Sequence, residues 1–438
     1  MSDTVAGGIQ GANAGGLVAS IRARIDAGAL SAGDALPSIR TLATELGLNR
    51  NTVAAAYAQL AAAGIVETRR RGGTIVLGVP NLDGEGQASE GGVVNLSSGN
   101  PDPAFLPRMA GVLDAGYSPP LYGTAPVSEE LQRWAAQHMT PDVAGPHRLV
   151  LTHGSVDAVD RLLGAYLTRG DTVAVEDPCF LSSIGALRLG GFQSAPVAVD
   201  EEGMTVEGLR AALAAGARAL VCTPRAHNPT GASLSPARVA ALREVLAGYP
   251  GVLVVEDDHF SAVSSRPYLR VTPPDAHRWA LVRSVSKFLG PDLRVAFVLA
   301  DPDTATRLES RLSSATTWVS HILQHLVARL LADPHTHALL DRARASYAGR
   351  SGLLVAELTG RGLPMQRHTD GLNVWVPLPG RPRQVVNDLA KRGWAVRPGE
   401  NFAVGDRPPP AIRVTTATLS PQQATAFAAD LAAVLQMA

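Results

Sequence analysis

The chain has 438 residues, 46% hydrophobic and 18% charged, a composition that excludes a disordered chain and predicts more than one folded core. Its 39 basic and 39 acidic residues cancel, so any attraction to nucleic acid must come from a local patch. No apolar run reaches membrane-spanning length, no signal-peptide pattern opens the chain, and Cys179 and Cys222 lack metal-ligand spacing; a reducing, cytoplasmic setting with no metal site is expected.

The first elements are short helices. "LVASIRARIDAG" sets Leu17, Ile21 and Ile25 at helical spacing and stops at Gly28. "IRTLATELG" predicts a second helix ending at Gly47. Asn49 can cap a third, "RNTVAAAYAQLAAAG", whose apolar face holds Val53, Tyr57 and Leu60. "IVETRRRGGTIVL" then reads as two β-prone runs around an Arg-Gly turn. Three short helices and a basic hairpin describe a winged helix-turn-helix, in which the third helix enters the major groove and the wing meets phosphate or the minor groove. A small helical subdomain with a surface hairpin is the plainer alternative. Two features favour DNA: polar Arg50, Asn51 and Thr52 open the third helix, and Arg69, Arg70 and Arg71 cluster in a chain without net charge.

After the N-terminal module (1–77), residues 78–92, "GVPNLDGEGQASEGG", lack periodicity and read as a flexible linker. From 93 to 438 apolar strands alternate with helical stretches, the pattern of an α/β domain with a largely parallel sheet. The predicted strands are "RLVLTHG", "DTVAVEDP", "RALVCTP", "GVLVVEDD", "WALVRSVSK" and "RVAFVLA". Most end in polar or special residues: Gly154-Ser155, Asp177-Pro178, Asn228 shortly after "CTP", Asp257-Asp258, and Ser284 to Lys287. Ligands of open α/β sheets sit at the carboxyl ends of strands.

The chemistry of that set is specific. Only two of the basic residues are lysines, Lys287 and Lys391, and Lys287 can offer the primary amine for a Schiff base that arginine cannot. Asp257 can pair with a pyridinium nitrogen, Asn228 with a phenolic oxygen, and Phe180 can stack on a flat ring. Ser284, Arg294 and the backbone N–H groups of Gly154, Ser155 and Val156 can hold a phosphate dianion. Singly, each has an ordinary reading: Asp257 as a turn or cap residue, Asn228-Pro229-Thr230-Gly231 as a loop turn, Lys287 as a surface lysine of the kind "LAKRGW" suggests for Lys391. Jointly they are far less expected by chance than any one alone.

Two resemblances sharpen the reading. "AGDALPSIRTLATELGLNRNTVAAAYAQLAAAGIVETRRRGGTIV" resembles the DNA-binding domain of the GntR family of bacterial regulators, which implies DNA contacts at Ser38, Arg40, Arg50, Asn51 and Thr52 and a wing at residues 69–73. "HNPTG", "VVEDD" and "SVSKFLGPDLR" resemble signature segments of the fold-type I aminotransferases over roughly 93–438. That likeness implies that Lys287 carries the cofactor and that Phe180 covers its ring. It also implies that Tyr122, in "LYGTAPVSEELQRWAA", reaches the phosphate of the neighbouring subunit in a homodimer, and that Arg413, in "AIRVTTATLS", clamps a substrate or effector carboxylate. The sequence departs from that pattern in having His259 and Phe260 where a tyrosine is usual; His259 can donate to a cofactor oxygen and Phe260 cannot. Val156 and Asp157 likewise replace polar amides.

Together the two parts resemble the MocR subgroup of GntR regulators, and "RNTVAAAY", "VEDPCFLSS" and "PRAHNPTG" look like the branch that governs vitamin B6 metabolism. The resemblance implies a transcriptional regulator that binds operator DNA and senses pyridoxal phosphate, an amine or an amino acid, with at most residual transamination. A true aminotransferase with an accessory DNA-binding domain is the competing reading, favoured by Arg413 and disfavoured by the His259-Phe260 replacement.

Overall fold

The structure, a computed structural model, describes residues 8–69, 73–77, 85–86, 92–112, 117–366, 368–405, 408 and 410–437. It divides into two compact units. The smaller contains helices α1 (Ala14–Asp26), α2 (Ile39–Leu46) and α3 (Arg50–Ala62) and strands β1 (Ala35–Leu36), β2 (Val66–Arg69) and β3 (Gly73–Val76). Each helix starts on a side chain that satisfies a free backbone N–H: Asn13 accepts from Gly16, Ser38 from Thr41, and Asn49 from Asn51. Helix α2 stops at Gly47, whose φ of 64° suits a residue without a Cβ. Leu17, Ile21, Leu42, Val53, Tyr57, Leu60, Val66 and Val76 form the core. The Tyr57 hydroxyl donates to the Pro37 carbonyl at 2.8 Å, tying α3 to the segment before α2.

The three helices and the hairpin are as the sequence predicts, with Arg69 opposite Gly73 across β2 and β3. Strand β1 adds a third member, pairing Ala35 with Ile75, which the sequence reading did not anticipate. Arg70 and Arg71 lie outside the described residues.

The larger unit is built on an eight-stranded sheet: β4 (Arg148–Thr152), β5 (Thr172–Asp177), β6 (Gln193–Asp200), β7 (Gly203–Met204), β8 (Ala219–Cys222), β9 (Leu253–Asp257), β10 (Trp279–Ser284) and β11 (Ala296–Ala300). Their spatial order is β4-β11-β10-β9-β8-β5-β6-β7. Strands β6, β5, β8, β9 and β10 run parallel, and the central ones are buried throughout, as expected where helices cover both faces. Strand β11, "RVAFVLA", is an exception in this largely parallel sheet: it is antiparallel to both β10 and β4. Its connection to β10 is too short for a parallel crossover, so the chain turns back through Lys287. This reversal puts Arg294, at the start of β11, on the edge where β10 ends.

Beyond the sheet, β12 (Asn373–Pro377), β13 (Arg397–Pro398) and β14 (Ala411–Thr415) form an antiparallel sheet in the order β12-β14-β13. The helices Pro334–Thr359 and Pro421–Met437 bury Leu354, Leu358, Phe427 and Leu431 with Val374, Ile412 and Val414 of that sheet. Arg413 lies in its central strand. Among the described residues no helix is long and apolar enough to cross a membrane.

Candidate functional site

Thr152, Ala296 and Ser284 lie in register across three neighbouring strands, so the loops that follow β4 and β10 and precede β11 share one sheet edge. Helix α4 (Ser155–Tyr166) opens at that edge and directs its first N–H groups there. Before it, Gly154 has φ 97°, and a Cβ at this position would stand 2.6 Å from Arg294 Nη2. Glycine thus lets the guanidinium lie against the backbone, where Nη2 donates to the His153 carbonyl at 3.3 Å. The Ser284 hydroxyl donates to Ser286 Oγ at 3.0 Å and accepts from the Ser286 N–H at 3.2 Å. A helix N-terminus, an arginine and two hydroxyls on one edge suit an oxyanion.

Lys287 follows directly. Its Nζ donates to the Gly99 carbonyl at 2.7 Å. Burial pushes its pKa below the ordinary lysine value; the Glu85 carboxylate opposes that shift, and the Arg413 and Arg294 charges add to it. The amine is therefore easier to deprotonate than a surface lysine's. Lys391 provides the contrast, being exposed and donating to Asp388 at 2.7 Å.

At the end of β9, Asp257 is buried, and its Oδ1 has no hydrogen-bond partner among the described residues. Its Oδ2 lies 3.3 Å from His259 Nδ1, yet neither ring nitrogen of the buried His259 makes a hydrogen bond. The Phe180 ring lies near-parallel to the His259 ring, with centroids 5.7 Å apart, and buried Phe260 packs on its side at 4.6 Å. Buried polar atoms are nearly always paired, and these are not.

Arg413 is fully buried, and both terminal nitrogens engage one carboxylate: Nη1 donates to Glu85 Oε1, and Nη2 donates to Oε2 at 2.9 Å. Asn228 joins them, its Nδ2 donating to Glu85 Oε1 at 3.1 Å and its Oδ1 accepting from Arg413 at 3.0 Å. The expected carboxylate clamp is therefore formed within the chain. Burial alone would raise the Glu85 pKa; the charge and hydrogen bonds of Arg413, the Lys287 charge and the Asn228 hydrogen bond outweigh it and hold the carboxyl below its ordinary range.

Three residues marked in the sequence have other neighbours within the chain. Tyr122 is 90% exposed, its ring beside Trp318, and no described contact brings it to the edge. Asp177, one of the polar strand ends, accepts from the Val404 and Gly405 N–H groups at 3.0 and 3.1 Å, because that loop's amides need an acceptor. Asp258 is saturated by Arg225 and Arg283. Conversely Glu85, Gly99 and Ser286 escaped the sequence reading. Ser286 had a visible signal, standing directly before the lysine in "SVSK"; Glu85 sits in a stretch whose composition says only linker.

In the smaller unit Ser38, Arg40, Arg50 and Asn51 are exposed and Thr52 is half-buried. All five lie at the starts of α2 and α3. Ser38 also caps α2, so part of its hydrogen-bonding capacity is committed.

The donor set fits pyridoxal phosphate on this structure's own terms: an unpaired oxygen on a buried carboxylate for a protonated ring nitrogen, an oxyanion cradle, and a half-buried amine of lowered basicity.

Residues 92–431 match the model of the aminotransferase class I and II family, and residues 13–76 match that of the bacterial regulatory proteins of the gntR family. The chain is 46% identical over 429 residues, 97% of its length and 98% of the relative's, to the vitamin B6 salvage pathway transcriptional repressor PtsJ of Salmonella typhimurium. It is 29% identical over 398 residues, 86% of each chain, to the HTH-type pyridoxine biosynthesis transcriptional regulator PdxR of Corynebacterium glutamicum. Its fold is similar to that of Pyrococcus horikoshii kynurenine aminotransferase, with a TM-score of 0.71 at 22% identity over 80% of this chain and 92% of that one. The chain belongs to the MocR subgroup of the GntR transcriptional regulators, in which a winged helix-turn-helix precedes a fold-type I aminotransferase-like domain.

Proposed function

We propose that this regulator senses pyridoxal phosphate, or an amine or amino acid that reacts with it, and thereby controls operator binding at genes of vitamin B6 metabolism. The observation that carries the reading is the Lys287 amine, bonded to the Gly99 carbonyl, on the same sheet edge as the unpaired Asp257 Oδ1 and the Arg294–Gly154 cradle. The functions of the repressor and the pyridoxine regulator to which the chain is similar support the choice of ligand.

Pyridoxal phosphate, when bound, supplies an aldehyde that condenses with a primary amine and a ring that withdraws electrons. Lys287 is the residue for the first, and its lowered pKa raises the fraction of free amine. Asp257 would hold the proton of the ring nitrogen. Asn228 and His259 would bond the ring oxygen, and Phe180 would cover the ring face. Gly154, Ser155, Val156, Ser284, Ser286 and Arg294 would hold the phosphate, and Arg413 an effector carboxylate. Tyr122, exposed beside exposed Leu121, suits a homodimer in which it completes the phosphate site of the other chain. Residues 1–77 serve as the DNA-binding domain, 78–92 as linker and 93–438 as effector domain, with transamination at most a side reaction.

The test is a pair of titrations. Pyridoxal phosphate can move a DNA equilibrium only by binding two conformations unequally, with a coupling of about 1–3 kcal/mol being typical. Operator affinity by gel shift should change with cofactor, and cofactor affinity by absorbance should change with operator by the same factor. Equal operator affinity for cofactor-free, cofactor-bound and amine-loaded protein would overturn the sensing role in favour of an aminotransferase.

A further inference from the structure

The carboxylate on Arg413 comes from the segment that leads in sequence to the DNA-binding domain. Glu85 is held by a fully buried guanidinium through both terminal nitrogens, with Asn228 as a third donor. This is the pairing a free carboxylate ligand would need. Its neighbour Gly86 fixes the register, donating its N–H to the Ser98 carbonyl at 2.8 Å. Gly99 leaves room for the carboxylate, since a side chain there would collide with it, and the Gly99 carbonyl accepts from Lys287. The internal carboxylate therefore sits on the same short turn as the amine.

We propose that Glu85 is a tethered competitor of the effector: a ligand carrying a carboxylate, an α-amino acid or a 2-oxo acid, binds at Arg413 only by displacing Glu85, and so releases the linker. This rests on the proposed function, and it specifies the ligand's chemistry and the route of its signal. Arg413 has two terminal nitrogens, and both are engaged by Glu85; a second carboxylate cannot take the same pair. Tethering gives Glu85 an effective concentration of roughly millimolar order, so the competition is substantial. The apparent affinity of an incoming carboxylate falls by the fraction of protein in which the site is free. Acceptance by both Glu85 oxygens from the Arg413 guanidinium favours the anion as the docked form, and the lowered pKa agrees with it. Amines without a carboxylate do not need Arg413 and escape the competition.

The experiment uses full-length protein loaded with pyridoxal phosphate and two probes: 2-methylalanine, an α-amino acid with no α-hydrogen, and isopropylamine, its counterpart without the carboxylate. Binding is followed by the visible absorbance of the bound cofactor. Glu85→Gln and Glu85→Ala should each bind 2-methylalanine about ten-fold tighter than the parent protein, with isopropylamine shifted less than about two-fold. Limited proteolysis gives a readout independent of the cofactor. Succinate should speed cleavage within 78–92 in the parent protein, while Glu85→Ala is cut fast from the start. Unchanged 2-methylalanine affinity in both variants, or equal shifts for both probes, overturns the inference, as does cleavage indifferent to succinate. Failure of the parent protein to take up pyridoxal phosphate overturns the proposed function instead, and the proteolysis arm then still decides the role of Glu85.

Discussion

Asp257 and Asp258 are neighbours in sequence and equally buried, and they face opposite chemical situations. Asp258 accepts from Arg225 Nε and Nη2 at 2.7 and 2.8 Å and from Arg283 Nε at 2.7 Å. Arg283 continues to Asp142 at 2.7 Å, and both guanidinium groups lie over the Tyr268 ring. Every charge in that group has an opposite charge and a hydrogen bond. One residue earlier, Asp257 leaves an oxygen unpaired beside a histidine with two unpaired nitrogens. The first arrangement is complete without any ligand; the second is complete only with one. The same division recurs in the smaller unit, where Asn49 caps α3 while the exposed Asn51 side chain makes no hydrogen bond among the described residues. Saturation of polar groups separates residues that hold the fold from residues that await a partner.

The division can be broken by mutation. Asp258→Ala leaves the buried Arg225 guanidinium without a carboxylate and Arg283 with Asp142 alone, and should destabilise the large domain by about 3–5 kcal/mol in denaturant unfolding. A loss comparable to that of a surface mutation would mean that the cluster is solvated in solution. Next in size, Asn51→Ala should cut discrimination between operator and altered operator by about 1–3 kcal/mol in gel shifts, with little change in stability. Asn49→Ala should do the reverse, costing about 1 kcal/mol of stability through the lost cap while sparing base preference.

Lys287 adds a pH signature to the cofactor-free protein. Burial lowers its folded pKa below the ordinary value near 10.5, so the unfolded chain binds more protons between the two values. Stability from this group therefore rises with pH across that window, by at most about 1.4 kcal/mol per pH unit. Tyr166 and Tyr347, pushed up to about 12 mainly by burial, contribute the opposite slope at higher pH. The difference between parent protein and Lys287→Met isolates the lysine, and identical slopes in the two would remove it from the buried set. The smallest expected effect is Asp257→Asn, which should change unfolding free energy by less than about 1 kcal/mol, because no partner is lost, while weakening cofactor uptake. A large destabilisation would assign Asp257 to the structural class instead.

Residues whose partners are local or lie on the same edge were readable from the sequence. The apolar runs of β4, β5, β8, β9 and β10 stand out because these strands are buried on both faces, and their polar ends mark the edge. Strand direction has no such mark within the runs themselves; the reversal of β11 shows only in the short stretch between "WALVRSVSK" and "RVAFVLA". Strand β6 is mostly exposed and contains Pro196, so it lacks the apolar run that reveals a strand. The strand end at Asp177 is indistinguishable from the others in sequence, because a polar end looks alike whether it faces a cofactor or a loop's amides. Glu85 was the hardest: its partner Arg413 lies 328 residues away, and no local pattern encodes such a contact.

The scarcity of lysine acquires a meaning once the two are placed. Aldehydes condense with accessible amines indiscriminately, and a protein surface rich in lysine acts as a sponge for them. Here an aldehyde meets just two side-chain amines, one enclosed at the sheet edge and one on the surface engaged with Asp388. Arginine keeps the remaining positive charge in a form that does not compete for the carbonyl at physiological pH. The chain thus has almost no background capacity for the molecule it is proposed to measure, and its occupancy reports one site rather than an average over many.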